Sequence, residues 1–125
     1  MATAARRLQW LCAATATAFF TDAGAWNTHA KRLRYVLARW GAATSAALWV
    51  LSSEIEFTEP WNDEGGTRRG ENNHSPTVER WVARSLAWFA EHDPLRRPVS
   101  IHFSHPWRAK QLWKMTELGW SYSNA

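Results

Sequence analysis

Cysteine is almost absent from this sequence, since Cys12 is the only one in 125 residues. A single cysteine cannot form an internal disulfide framework or a cysteine-based zinc site, and its apolar neighbours indicate an inert apolar residue. The sequence also lacks any run of about eighteen apolar residues, which is the length that a membrane-spanning helix needs. We therefore expect no membrane span and no membrane partner.

Acidic residues are missing from the N-terminal end of the chain. Residues 1–21 contain two arginines, many alanines and neither aspartate nor glutamate. This composition is typical of a targeting peptide, although a short helix that leads into the first strand fits it as well. We interpret residues 1–14 as a helical lead or a targeting segment. We expect a cytoplasmic protein, with a mitochondrial location as the alternative.

Tryptophan and positive charge are the features in excess. The ten tryptophans suit a Trp-rich core, because indoles bury a large apolar area, but they could also stack on nucleobases or fill a partner's pocket. The net charge of +4 favours polyanionic partners, and nucleic acid above all. A chain of 125 residues forms one domain, which we place at residues 15–120.

Periodicity predicts elements in the order strand, strand, strand, helix, strand, helix. They are strands at 15–21, 31–40 and 46–57, a helix at 76–91, a strand at 99–103 and a helix that begins at Pro106. Residues 31–40 alternate as a strand with a basic face, and a helix is the close competitor there. Residues 58–75 are predicted to be a loop, and residues 121–125 a frayed tail. This order predicts an α/β (α+β) protein, in which helices pack against a mixed sheet.

Several short motifs follow one another along this predicted framework. They are Thr21-Asp22-Ala23-Gly24 at the end of the first strand, Asn72-Asn73 before the first helix, Glu79 in its first turn, and Ser104-His105 after the fourth strand, ahead of Trp107. In this order the motifs resemble those of the ribonuclease H family. The resemblance covers about residues 15–120, and it implies a ribonuclease H-like fold.

The resemblance also implies hydrolysis of phosphodiester bonds with bound Mg²⁺ ions, or with Mn²⁺ as the alternative. Asp22 and Glu79 would be catalytic residues and the oxygen ligands of the metal. Ser104 takes the catalytic position where the family has a third acid, and the matched residues end before the family's fourth. We therefore expect weak metal binding, with impaired or absent hydrolysis.

An RNA–DNA hybrid or RNA is the partner that the resemblance implies. The residues predicted to bind it are Asn72, Asn73, Trp107, Arg108 and Lys110. In the last helix, cations beside an indole can hold a nucleic-acid backbone and stack on its bases. The competing hypothesis is a small basic, Trp-rich protein-interaction module, such as an immunity protein, an inhibitor or a subunit of an organellar assembly.

Simpler interpretations of the predicted site also stay open. Asp22 could be a turn residue that bonds its own backbone, and the macrodipole alone favours Glu79 near a helix N-terminus. Glu54 and Glu56 alternate onto one face of a strand, where they are either solvated or substitutes for the missing acid.

Two histidines are a further candidate pair. His102 and His105 could meet at the end of the last predicted strand. Imidazoles prefer softer metals than Mg²⁺, such as Zn²⁺ or Mn²⁺, so a metal role for this pair would be a different one from that of the carboxylates.

Overall fold

The computed structural model describes residues 16–65 and 74–105, which form a helix-rich structure with a small parallel sheet. The elements are α1 (Thr17–Thr21), α2 (Ala23–Trp40), β1 (Trp49–Val50), a 3₁₀ helix (Ile55–Phe57), α3 (Glu59–Gly65), α4 (Pro76–His92) and β2 (Val99–Ser100). The mixed α and β class that the sequence predicts agrees with this architecture. The segment 1–14, the helix from Pro106 and the tail 121–125 lie outside the described residues, and the domain at 15–120 stays a prediction.

The sheet is formed by β1 and β2, which pair in parallel with Trp49 opposite Val99. Backbone hydrogen bonds continue the pairing toward the carboxyl ends as far as His102, whose N–H donates to the carbonyl oxygen of Ser52 (3.1 Å). Parallel strands need a crossover connection, and α3 and α4 lie within it. The chain therefore contains a β–α–β unit, and the strands in residues 16–65 and 74–105 are these two.

The crossover helix α4 confirms the helix predicted at 76–91. It begins after Ser75, whose hydroxyl accepts a hydrogen bond from Val78 N (3.3 Å), and Pro76 occupies the first turn, where its missing N–H has no consequence. The carboxylate of Glu64, at the end of α3, accepts hydrogen bonds from the hydroxyls of Ser75 (2.6 Å) and Thr77 (2.6 Å). These contacts fix the position of the helix start.

Tryptophan fills much of the core. Four of the tryptophans are buried, Trp49, Trp61, Trp81 and Trp88, and the remaining two in the described residues, Trp26 and Trp40, are half-buried against the core. The Trp-rich core is therefore confirmed for this part of the chain. A partner surface built from exposed tryptophans would have to come from residues outside it.

The first two predicted strands, at 15–21 and 31–40, are wrong. The structure places helix α1 in the first segment, and the second is part of the 18-residue helix α2. Asp22 is the reason that α2 begins where it does, because its carboxylate caps the helix by accepting a hydrogen bond from Ala25 N (2.7 Å). Among residues 16–65 and 74–105, none of the helices combines the length and the apolar composition that crossing a bilayer requires.

The third predicted strand and the loop after it are correct only in part. Of residues 46–57, only Trp49–Val50 forms a strand, because the backbone of Glu54 turns into the left-handed region and a 3₁₀ helix follows. The predicted loop at 58–75 contains the helix α3. The fourth predicted strand, 99–103, is confirmed at Val99–Ser100, with a further bridge at His102.

Candidate acid–base site at the carboxyl ends of the parallel strands

The two carboxylates predicted to bind metal each have a different local role in the structure. Asp22 is exposed and caps α2. Glu79 lies in the first turn of α4, where its carboxylate is hydrogen-bonded to the ring of His74. Asp22 therefore lies between two helices, and the predicted position at the end of a strand is wrong. Their metal role stays a prediction.

The remaining predicted site residues fall into two groups. Ser104 is exposed and follows β2, and its backbone N–H donates to the carboxylate of Glu56 (2.7 Å). The residues predicted to bind nucleic acid, Asn72, Asn73, Trp107, Arg108 and Lys110, lie outside the described residues. Within residues 16–65 and 74–105, the structure contains no group of three or more histidine, cysteine or acidic residues that could hold a metal ion.

Glu54 is the most unusual residue at the carboxyl ends of β1 and β2. Its backbone adopts φ 53° and ψ 47°, the left-handed region that residues with a Cβ rarely occupy. Its side chain is half-buried and has no hydrogen bond or ion pair with another described residue. Strained backbone of this kind clusters at active sites, ligand clamps and switch regions.

His102 is hydrogen-bonded to the two residues that flank Glu54 in the chain. The Nδ1 atom of His102 is hydrogen-bonded to the hydroxyl of Ser53 (3.2 Å), and its carbonyl oxygen accepts a hydrogen bond from Ile55 N (3.4 Å). Since Ser53 and Ile55 flank Glu54, the backbone of Glu54 and the imidazole of His102 lie at the same end of the sheet. The bond at Nδ1 leaves Nε2 as the ring atom that can exchange a proton with a substrate.

Glu56 is a buried residue that stabilises the chain at this end of the sheet. Its side chain is 0 % exposed, and Oε1 accepts hydrogen bonds from the backbone N–H groups of Ser104 (2.7 Å) and His105 (3.1 Å). The Nδ1 atom of His105 lies 3.5 Å from the same oxygen, and the ring packs edge-on against Phe57. A buried carboxylate of this kind fixes the segment after β2, because charge-assisted hydrogen bonds are short and directional. The prediction that Glu56 lies on a solvated strand face is wrong.

A second polar cluster, formed by Trp49, Asp93 and Arg97, lies at the opposite, amino end of the sheet. Asp93 accepts hydrogen bonds from Trp49 Nε1 (2.8 Å) and forms an ion pair with Arg97 (3.0 Å). Burial tends to raise the pKa of Asp93, but the hydrogen bonds from Trp49, Arg97 and Leu95 and the charge of Arg97 together hold it below its usual value. This cluster is fully engaged in structural contacts and leaves no group for a ligand.

The residues of the site can be picked out from the sequence, but their proximity in the fold cannot be predicted from it. Spacing places Glu54 and Glu56 two residues apart, and His102 and His105 at a strand end. The left-handed turn at Glu54 cannot be deduced from the sequence, because a glycine or asparagine is the usual signal for that conformation. Ser53 gives no sequence signal at all, since its bond to His102 spans 49 residues.

The chain matches no protein-family model, no curated protein sequence and no solved structure. Function is therefore inferred from the residues and from the geometry that they adopt.

Proposed function

We propose that the chain is an acid–base hydrolase whose substrate binds at the carboxyl ends of β1 and β2. The observation that supports this function is Glu54, a half-buried carboxylate in left-handed backbone between two residues that both hydrogen-bond His102. By analogy, parallel α/β folds bind their ligands outside the carboxyl ends of the strands. The proposed site lies at that end of the sheet.

The proposed reaction uses one carboxylate and one imidazole. Glu54 accepts a proton from the attacking water while the water oxygen bonds to the substrate, and His102 donates the proton on Nε2 to the leaving oxygen. Transfer of the proton from Glu54 to His102 then restores both groups. Glu56 acts as a positioning residue, because it holds the backbone of Ser104 and His105 rather than the substrate.

Hydrolysis of chromogenic substrates tests this function. Nitrophenyl esters, glycosides and phosphodiesters are incubated with the purified chain in the presence of a chelator. Replacing Glu54 by the isosteric amide, Glu54→Gln, should lower kcat/KM by about 10²–10⁴-fold, which is the usual contribution of a general acid or base. The matched control is Glu91→Gln, since the Glu91 side chain is 78 % exposed at the end of α4.

Two results would contradict the hydrolase. Turnover that Glu54→Gln leaves unchanged would remove Glu54 from the reaction. Failure of the wild-type chain to hydrolyse any of the three substrate classes would remove the activity itself. Loss of turnover in Glu54→Gln with unchanged circular dichroism would support the assignment.

A ribonuclease H-like nucleic-acid-binding function is our second proposal, and the net charge of +4 favours it. Here an RNA–DNA hybrid would bind, and any hydrolysis would depend on Mg²⁺ or Mn²⁺, for which Asp22 and Glu79 would be the ligands. The variant Asp22→Asn is a suitable test because asparagine also caps helices, so α2 is preserved. Metal-dependent cleavage of a labelled hybrid that disappears in this variant would support the proposed metal role.

Binding recorded in the same samples separates the two proposals. Cleavage that survives the chelator and disappears in Glu54→Gln would assign any nuclease activity to the strand ends. Binding without cleavage would indicate a domain that recognises nucleic acid. Absence of both binding and cleavage would favour the protein-interaction module.

A further inference from the structure

The outward face of α2 carries the strongest charge asymmetry in the described part of the chain. The helix buries His29, Ala30 and Leu33 on one side. The opposite side is exposed and consists of cations around one aromatic ring, which we name the cationic face: Lys31, Arg32, Arg34, Tyr35 and Arg39.

The charge of this face is not balanced within the structure. The sequence of α2 contains no acidic residue, and none of the ion pairs in residues 16–65 and 74–105 includes one of its four cations. The whole chain has 15 basic and 11 acidic residues, which gives a net charge of +4. The charge of these four cations is as large as that net charge. Lys31 and Arg34 are like charges three residues apart on the helix, so a polyanion on this face would relieve the repulsion between them.

Tyr35 gives the face a second recognition element. Tyr35 is 63 % exposed, which is the largest exposure of a large hydrophobic residue in the described part of the chain. One edge contact with Trp40, at a centroid distance of 6.2 Å, fixes the ring while leaving it accessible. An exposed aromatic ring among cations is the combination on which bases of a single strand stack while its phosphates are neutralised.

We propose that the cationic face of α2 binds single-stranded nucleic acid. The cations neutralise successive phosphates, and the ring of Tyr35 stacks on a base. The inference rests on the nucleic-acid binding proposed above, and it assigns a single strand to this surface in place of the RNA–DNA hybrid. It uses none of the residues Asn72, Asn73, Trp107, Arg108 and Lys110.

Fluorescence anisotropy with a labelled oligothymidylate tests the cationic face. If four phosphates are neutralised, a plot of the logarithm of the affinity against the logarithm of the salt concentration should have a slope of about −3. The affinity should then fall about 50-fold between 50 and 200 mM salt. In Lys31→Gln/Arg34→Gln, which removes two cations and keeps good helix formers, the slope should become shallower by about 1.4. The charge-matched control is Arg80→Gln/Arg84→Gln on α4, which should keep the wild-type slope.

Two substitutions at Tyr35 separate stacking from charge. Tyr35→Ala should weaken binding by about tenfold, since a base–aromatic stack has a comparable effect in other single-strand binders. Tyr35→Phe keeps the ring and should bind as the wild type does. A loss of equal size in both variants would show that stacking is not the interaction.

The outcomes distinguish the surface from the function. Absence of oligothymidylate binding by the wild-type chain, including the case in which only anionic phospholipid vesicles bind, would overturn the cationic face. A labelled RNA–DNA hybrid that also fails to bind would overturn the nucleic-acid-binding function itself. Wild-type binding with the same slope in Lys31→Gln/Arg34→Gln would leave nucleic-acid binding intact and overturn the cationic face. Tighter binding of a duplex than of the single strand would overturn the strandedness.

Discussion

Glu54 has a strained backbone at the position to which we assign a functional side chain. A side chain with a Cβ in left-handed backbone costs about 1–2 kcal/mol, and Glu54 shares this conformation with Arg96, which lies outside the candidate site. Glu54 is also the carboxylate proposed to carry out proton transfer. The strained backbone therefore coincides with a proposed function at Glu54 and with none at Arg96.

This contrast gives a paired prediction. Glu54→Gly and Arg96→Gly should each raise the free energy of unfolding by about 0.5–1 kcal/mol, because glycine adopts φ near 50° without steric cost but adds entropy to the unfolded chain. Only Glu54→Gly should abolish hydrolysis. Urea unfolding and nitrophenyl turnover of both variants check this, and a stable, active Glu54→Gly would remove the functional reason for the strain.

His29 is a buried histidine whose titration affects folding stability. It is 4 % exposed among Phe19, Trp26 and Trp81, and its Nε2 has no hydrogen-bond partner within the described residues. Burial, with a smaller contribution from the charge of Arg32, lowers its pKa to about 4. The imidazole is therefore neutral in the folded protein at neutral pH.

The pH dependence of stability follows from that lowered pKa. Between about pH 4 and 6.5 the unfolded chain binds a proton at His29 that the folded chain does not, so folding stability falls as the pH falls through this window. We expect a loss of about 2–3 kcal/mol between pH 7 and pH 4.5, measured by urea unfolding. His29→Phe, which keeps an aromatic ring, should flatten the curve.

Above pH 4.5 the effect of His29 is largely separate from that of three carboxyls, Glu59, Glu64 and Asp93, and the pKa of Glu59 is lowered by hydrogen bonds from Thr17. The pKa values of Asp93 and Glu64 are lowered in the folded protein, although burial opposes the shift in each case, because hydrogen bonds and a nearby arginine favour the charged forms. Their stabilising contribution is present above the pKa values that these groups have in the unfolded chain. It is lost as the pH falls through their lower pKa values in the folded protein. An unchanged slope in His29→Phe would exclude His29 as its source.

At the scale of elements, Arg97 joins three segments of the chain. Its guanidinium is buried, pairs with Asp93 after α4, and donates to the carbonyl oxygens of Gly41, Ala43 and Ala46 between α2 and β1. It therefore attaches the end of α2 to the amino end of the sheet. No single hydrophobic contact could satisfy these carbonyls.

Removal of Arg97 should consequently be costly. Arg97→Met leaves the buried Asp93 carboxylate without its cation and should lower the free energy of unfolding by about 3–5 kcal/mol. The neighbouring exposed Arg96→Met should change it by less than about 0.5 kcal/mol. Chemical denaturation of both variants is the measurement, and an equal, small effect would show that solvent replaces the buried pair.

The elements also show which parts of this fold are readable from sequence. Helix α4 is predicted correctly because Ser75, Pro76 and a long apolar stripe all indicate the same start and face. Helix α2 is missed because residues 31–40 alternate basic and apolar residues over a window too short to separate the two periods. Its decisive signal is the cap Asp22, which the sequence also allows as a turn residue.

The candidate site is less predictable than the elements, for a physical reason. Ser53, next to Glu54, and His102 come together through pairing of β1 with β2, a contact between segments about fifty residues apart, and local periodicity carries no information about it. The mixed class follows from the composition of the segments. The ribonuclease H-like topology stays a proposal.

For the whole molecule, the two proposed functions occupy different elements. The acid–base site lies at the carboxyl ends of the strands, whereas the cationic face is the exposed side of α2, whose C-terminal end is joined by Arg97 to the amino end of the sheet. The two sites therefore have no residue in common. Substitutions far apart and without shared partners act additively, within about 0.5 kcal/mol.

Independence of the two sites is the prediction at this scale. Glu54→Gln should lose turnover of a small neutral substrate and bind oligothymidylate with wild-type affinity and salt slope. Lys31→Gln/Arg34→Gln should show the opposite pattern, because a neutral substrate gains nothing from four distant cations. If hydrolysis proves specific for polyanions, the α2 variant should instead raise KM at unchanged kcat, since the lost contacts contribute equally to ground-state and transition-state binding. A fall in kcat in that variant would mean that the helix and the strand ends act as one site.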